Sequence, residues 1–141
     1  MGNSHSFQRI NFENIQNMNK QNTILINTML SNEQDCLILN TINSTQEEIM
    51  INKMLKSKEK TIRIFIYGKN ANDESVYKKY NQLSQLGFCN IYIYSGGLFE
   101  WLLLQDIYGD TEFKTTSKQL DILKYKPIKH VDVSGVALID Y

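Results

Sequence analysis

Apolar residues along the chain fall in short runs that alternate between two patterns. One kind of run is continuous and rich in β-branched and aromatic residues, which is typical of strands buried on both faces. The other kind repeats at helical spacing, so that its apolar side chains share one face. The predicted strands are a short one at Ile10 and residues 23–26, 36–39, 61–67 and 90–94. The predicted helices are residues 12–19, a segment that begins at Ser44, and residues 74–86 and 98–107.

The order of these elements predicts a single α/β domain. Strands that alternate with helices form a parallel sheet, and the connecting helices cover its faces. The expected architecture is an open, mostly parallel five-stranded sheet with helices on both faces. A chain of 141 residues is long enough for one such core and too short for two. The expected organisation is an N-terminal signal at residues 1–7, the domain at 8–109 and a C-terminal extension at 110–141, with the apolar segment 131–141 packed back on the domain.

Composition narrows the range of functions. Fifteen basic residues balance fifteen acidic ones, so the surface has no general attraction for nucleic acid, and no such partner is expected. No apolar run reaches the length of a membrane span. Two cysteines, Cys36 and Cys89, are too few for a disulfide framework or a four-cysteine metal site, which favours a cytoplasmic location. His5 and His130 have no Cys or His at ligand spacing, so no metal or other cofactor is predicted.

The first residues, Met-Gly-Asn-Ser-His-Ser, match the N-myristoylation pattern. After removal of Met1 in a eukaryotic cell, the amine of Gly2 accepts the acyl chain. One myristoyl chain gives a membrane association constant of only about 10⁴ M⁻¹. The expectation is therefore reversible association with the cytosolic face of a membrane, or insertion of the acyl chain into a partner protein.

Candidate chemistry lies at the carboxyl ends of the predicted strands, where open α/β sheets bind ligands. The loop of residues 68–73 follows the strongest strand and leads into a helix, so its backbone N–H groups are placed to cradle a thiolate or a phosphate. The sequence nevertheless favours a plain capped turn, because the loop has one glycine and no Walker pattern. Its residues are Gly68, Lys69, Asn70, Ala71, Asn72 and Asp73.

Residues 87–101, GFCNIYIYSGGLFEW, resemble the signature near the end of a rhodanese-like domain. In that family a Gly-Phe pair precedes the last strand, and a Gly-Gly pair with a tryptophan four residues on follows it. The matching residues here are Gly87, Phe88, Gly96, Gly97 and Trp101. The resemblance covers about residues 8–108 and implies the fold of a thiosulfate sulfurtransferase, with the active loop at residues 68–73.

The same resemblance exposes three departures from the family's site. Active members carry a cysteine that takes up sulfane sulfur as a persulfide, and Gly68 stands at that position. Glu74 lies near the place where related phosphatases have a phosphate-binding arginine, and an acidic residue repels phosphate. The family's Asp-x-Arg after the second strand is replaced by Asn27, Thr28 and Met29.

These departures favour a catalytically inactive rhodanese-like binding or adaptor module, tethered at Gly2, with an unidentified protein partner. Two alternatives stay open. One is a sulfurtransferase that uses a displaced thiol, although Cys36 and Cys89 are expected at the amino ends of strands, away from the loop. The other is a structural component of a virion or a membrane that reuses the fold.

Overall fold

The structure is a computed structural model and describes residues 6–128. The strands in this range are β1 (Arg9–Ile10), β2 (Thr23–Asn27), β3 (Arg63–Tyr67) and β4 (Ile91–Tyr94). The helices are α1 (Phe12–Gln16), α2 (Ser44–Ser57), α3 (Ser75–Gln85) and α4 (Gly97–Tyr108), and two 3₁₀ turns cover Ser31–Glu33 and Ile122–Tyr125. The expectations for Gly2, His5, His130 and the segment 131–141 fall outside the described residues.

The sheet has the strand order β1-β4-β3-β2, and every neighbouring pair is parallel. Alternation along β3 divides the core between the two faces of this sheet. Ile64 and Ile66 belong to a buried cluster with residues of α2 and α3, whereas Phe65 and Tyr67 belong to a second cluster with residues of α1 and α4. The predicted α/β fold, a parallel sheet with helices on both faces, is confirmed.

The predicted count of five strands is wrong, because residues 36–39 do not form a strand. The segment around them makes isolated bridges instead, Ile38 with Thr115 and Thr41 with Leu25. The N–H of Ile38 donates to the hydroxyl of Tyr67 at 3.1 Å, and Asn40 then turns the chain with a φ of 75°. Because the N–H of Ile38 binds a side chain and the chain turns at Asn40, this segment forms no continuous hydrogen-bond ladder with a neighbouring strand. The sheet within residues 6–128 therefore has four strands.

Side chains at the start of α2 show how the local sequence sets a helix boundary. Ser44 is the first helical residue, as the sequence predicts, and the reciprocal cap is formed by Asn43 and Gln46. The Oδ1 of Asn43 accepts the N–H of Gln46 at 2.8 Å, and the Oε1 of Gln46 accepts the N–H of Asn43 at 3.2 Å. Asparagine caps helices as well as serine does, so either residue satisfies the pattern.

Residues 110–128 pack into the same core as the strands. Phe113 is 4% exposed and Tyr125 is 1% exposed. The indole Nε1 of Trp101 donates to the carbonyl of Lys114 at 3.0 Å, and the Nε2 of Gln105 donates to the carbonyl of Phe113 at 2.7 Å. These two side chains of α4 bind the extension and direct it across the carboxyl edge of the sheet, where the candidate loop lies.

Candidate functional site

The loop of residues 68–73 joins the carboxyl end of β3 to α3, as the sequence predicts. At this edge Tyr67 of β3 lies between Asn27 of β2 and Tyr94 of β4. The start of α4 closes over the loop, since the N–H groups of Leu98 and Phe99 donate to the carbonyls of Gly68 and Lys69, both at 2.9 Å. The N–H groups that the start of α4 leaves without a partner inside the helix therefore bind the backbone of the loop.

The carboxylate of Asp73 occupies the inside of this loop. Its Oδ2 accepts the N–H of Lys69 at 2.9 Å. Its Oδ1 accepts the N–H of Ser75 at 3.0 Å and lies 2.6 Å from the Ser75 hydroxyl. Donors that an anionic ligand or a persulfide would use are thus bound by a carboxylate of the protein itself.

Gly68 leaves the space into which this carboxylate folds. A Cβ atom at Gly68 would lie 2.5 Å from the Oδ2 of Asp73 and 3.0 Å from the Cγ1 of Val76. Real Cβ atoms do not approach other atoms at 2.5 Å, so any side chain at this position must displace the carboxylate. The missing thiol and the inward carboxylate are therefore two parts of one arrangement.

The C-terminal extension closes the loop from outside. The Nδ2 of Asn70 donates to the carbonyl of Tyr125 at 2.9 Å, and the Oδ1 of Asn70 accepts the N–H of Asn72 at 2.9 Å. Asn70 is only 9% exposed as a result. Ala71 and Asn72 are the exposed part of the loop.

Two contacts of charged side chains lie on either side of the loop. Lys69 Nζ lies 2.7 Å from Glu33 Oε2, in an ion pair that is partly exposed. On the α4 side, the hydroxyl of Tyr94 donates to Glu100 Oε1 at 2.6 Å. Burial, together with the Glu100 carboxylate, raises the pKa of Tyr94 well above its usual range. The phenol is therefore a neutral donor throughout the physiological range and holds the Glu100 side chain over the start of α4.

The rhodanese-like domain family model matches residues 13–104 of this chain. The chain belongs to the rhodanese-like family. The match begins within α1 and ends within α4, so it includes the loop of residues 68–73. No curated protein matches the chain.

Solved structures show the same fold at low sequence identity. The rhodanese-like domain of the Alr3790 protein from Anabaena sp., solved by solution NMR, superimposes with a TM-score of 0.56 at 18% identity over 96% of both chains. A crystal structure of the Alr3790 protein gives a TM-score of 0.56 at 19% identity, over 82% of this chain and 97% of that one. The BH2092 protein from Bacillus halodurans gives 0.54 at 18% identity, over 72% of this chain and 74% of that one.

Other sequence-predicted positions of the rhodanese-like site have structural contacts in this chain. The Oδ1 of Asn27 accepts the N–H of Met29 at 3.0 Å, which turns the backbone after β2. The hydroxyl of Thr28 lies 2.6 Å from the hydroxyl of Ser75, so it is joined to the Asp73 network. Glu74 is exposed at the start of α3 and makes no side-chain cap.

The two cysteines differ in exposure, and only Cys89 lies where the sequence predicts. Cys89 is exposed and precedes the amino end of β4, at the edge opposite the loop, as expected. Cys36 is buried, and its thiol donates to the carbonyl of Ser117 at 3.3 Å. Residues 36–39 form no strand, so the expected place of Cys36 at the amino end of a strand is wrong. Cys36 lies instead in the same core cluster as Tyr67.

Cation sites and membrane spans give no further candidates in residues 6–128. This part of the chain has no group of three or more His, Cys, Asp or Glu side chains placed to hold a metal ion. None of its helices is both long enough and apolar enough to cross a membrane.

Sequence reasoning names Asp73 as a residue of the candidate loop, but it predicts neither the contact of Asp73 with Lys69 nor the contribution of Tyr125. An aspartate two residues before Ser75 carried a local signal, since short polar side chains bind backbone N–H groups two residues on. The contact from Asn70 to Tyr125 spans 55 residues and has no sequence signal.

Proposed function

We propose that this rhodanese-like chain is a catalytically inactive binding module, tethered reversibly through an acyl chain on Gly2 to the cytosolic face of a membrane. The observation that carries the proposal is the Asp73 carboxylate inside the loop, directly over Gly68. A persulfide needs a thiol and free N–H donors. Position 68 has no thiol, the N–H groups of Lys69 and Ser75 are bound by Asp73, and that of Asn72 is bound by Asn70.

The closed loop also supports a binding role for the surface around it. The loop is held by α3, by the start of α4 and by Tyr125, so it is rigid without a ligand. Rigid surfaces lose little conformational entropy when a protein partner binds. Ala71, Asn72 and Glu74 form the exposed rim of this surface.

A sulfur-transfer assay on the full chain tests the inactive loop. With thiosulfate as donor and cyanide as acceptor, the parent chain should form no persulfide and transfer no sulfur. Gly68→Cys alone should stay inactive, because the Asp73 carboxylate crowds the introduced thiol and binds the loop N–H groups. Gly68→Cys with Asp73→Ala frees both the space and the donors, and should form a persulfide that mass spectrometry detects.

Sulfur transfer by the parent chain would overturn the proposal if Cys36→Ser or Cys89→Ser abolished it. That result would make a sulfurtransferase with a displaced thiol the function of the chain.

Intact-mass spectrometry of the chain made in eukaryotic cells tests the tether. One added myristoyl group on the parent, absent from Gly2→Ala, is the expected result. An unmodified parent would remove the tether from the proposal and leave the inactive binding module. The mass also reports any sulfur added to either cysteine.

A further inference from the structure

A basic and apolar groove opens beside the closed loop, along residues 121–128. It has a volume of about 490 Å³ and is lined by Lys69, Asp121, Leu123, Lys124, Lys126 and Ile128. We infer that this groove, which we call the lysine groove, is a second attachment site that binds an anionic membrane surface. The inference rests on the proposed tether at Gly2, which by itself is too weak for stable attachment.

The charges of the lysine groove favour an anionic partner. Three lysines line it against a single aspartate, Asp121. Lys69 is paired with Glu33, but within residues 6–128 no ion pair engages Lys124 or Lys126. Both of these lysines are exposed. This local excess contrasts with the chain as a whole, in which acidic and basic residues balance.

The apolar side chains of the same segment favour a membrane over a free anion. Leu123 is 61% exposed and Ile128 is 57% exposed, although both are large aliphatic residues. Leu120, three residues before Leu123, is 85% exposed. Lysines beside exposed aliphatic side chains are the combination that binds the boundary between lipid headgroups and acyl chains. A soluble phosphate would gain nothing from the leucines.

Tyr125 anchors the segment that carries the two exposed lysines of the groove. Tyr125, between the two exposed lysines, is buried in the core cluster on the α1 and α4 side of the sheet. Its backbone carbonyl is fixed by Asn70. Lys124 and Lys126 are therefore presented by an anchored turn rather than by a free tail.

Vesicle binding of the full chain tests the lysine groove without relying on acylation. A histidine tag at the N-terminus holds the chain on vesicles that contain a nickel-chelating lipid, in place of the acyl chain. Adding phosphatidylserine to phosphatidylcholine vesicles should increase the bound fraction, and salt should reverse the increase. Lys124→Gln with Lys126→Gln should weaken the phosphatidylserine-dependent affinity by about 25-fold, since each lysine near an anionic surface contributes about fivefold.

The matched control is Lys53→Gln with Lys56→Gln, which removes the same charge from exposed positions of α2, on the other side of the sheet. It should keep nearly all of the phosphatidylserine-dependent affinity. The inference is overturned if phosphatidylserine has no effect on the parent, or if both double variants lose affinity equally. Either failure leaves the tether intact, because the tether is tested separately by the mass of the acylated chain and by Gly2→Ala.

Discussion

The carboxylate of Asp73 lies where the side chain of residue 68 would stand. A Cβ atom on Gly68 would be 2.5 Å from the Oδ2 of Asp73, and that oxygen is bound to the N–H of Lys69 at 2.9 Å. Glycine at one end of the loop and aspartate at the other thus depend on each other. In this rhodanese-like chain the loop is stabilised from within.

This dependence predicts a strong coupling between two substitutions. Gly68→Ala should lower the free energy of unfolding by about 1–3 kcal/mol, because the Asp73 carboxylate must give up hydrogen bonds to make room. In the Asp73→Ala background, Gly68→Ala should cost less than about 1 kcal/mol, since the nearest remaining atom is the Cγ1 of Val76 at 3.0 Å. Urea denaturation of the four proteins measures the cycle. Additive effects would show that the two residues do not compete for the same space.

Gly97 is predicted to be the least replaceable glycine of the site. Its φ is +68°, and a Cβ would lie 2.9 Å from both the N of Asn70 and the O of Gly68, which are backbone atoms. Gly97→Ala should therefore destabilise the chain by about 3 kcal/mol or more. Gly109→Ala is the control, because Gly109 also has a positive φ but no atom near its Cβ position. It should cost about 1–2 kcal/mol, and a thermal melt that ranked the two in the opposite order would contradict the prediction.

Two buried tyrosine hydroxyls are expected to differ in their contribution to stability. The hydroxyl of Tyr67 accepts the N–H of Ile38 at 3.1 Å and lies 2.7 Å from the Thr41 hydroxyl. The buried hydroxyl of Tyr125, in contrast, has no hydrogen-bond partner among residues 6–128. Tyr67→Phe should lower the free energy of unfolding by about 2 kcal/mol, because it leaves the Ile38 N–H unpaired.

Tyr125→Phe should leave the free energy of unfolding unchanged or raise it by about 1 kcal/mol, because it removes an unpaired polar group from the core. Chemical denaturation of the two variants beside the parent gives the comparison. A loss at Tyr125→Phe as large as that at Tyr67→Phe would show that the Tyr125 hydroxyl is bonded in solution.

Stability is predicted to fall at alkaline pH. Burial raises the pKa of Tyr67 and of Tyr94 above the ordinary tyrosine value of 10.0. Above about pH 10 the unfolded chain loses these protons while the folded chain keeps them, so the unfolded state is favoured. Each tyrosine contributes up to about 1.4 kcal/mol of lost stability per pH unit in that range. Below about pH 9 neither group makes stability depend on pH.

Urea midpoints measured between about pH 8 and pH 11 test this slope. The Tyr67→Phe variant should show a shallower alkaline loss than the parent, since one of the two groups is removed. An equal slope in the parent and the variant would mean that Tyr67 ionises in the folded chain. Ultraviolet titration of the tyrosines provides an independent reading of the same protons.

Sequence alone determined the fold class of this protein and placed residues 68–73 after the carboxyl end of a strand. Continuous apolar runs identified β3 and β4, and the Gly96-Gly97 pair with Trp101 identified the family. Such features are local or repeat at a fixed spacing, because a strand or a helix imposes its own period on neighbouring residues. The absence of a thiol at Gly68 could be read from the same alignment of motifs.

Tertiary structure decided how the loop of residues 68–73 is closed. The isolated bridges around residues 36–41 depend on the hydroxyl of Tyr67, and the closure of the loop depends on Tyr125, which is far away along the chain. Such contacts follow from the way distant segments share space and hydrogen-bond donors, and no spacing in the sequence records them. The carboxylate of Asp73, by contrast, binds Lys69 and Ser75, which are near it along the chain.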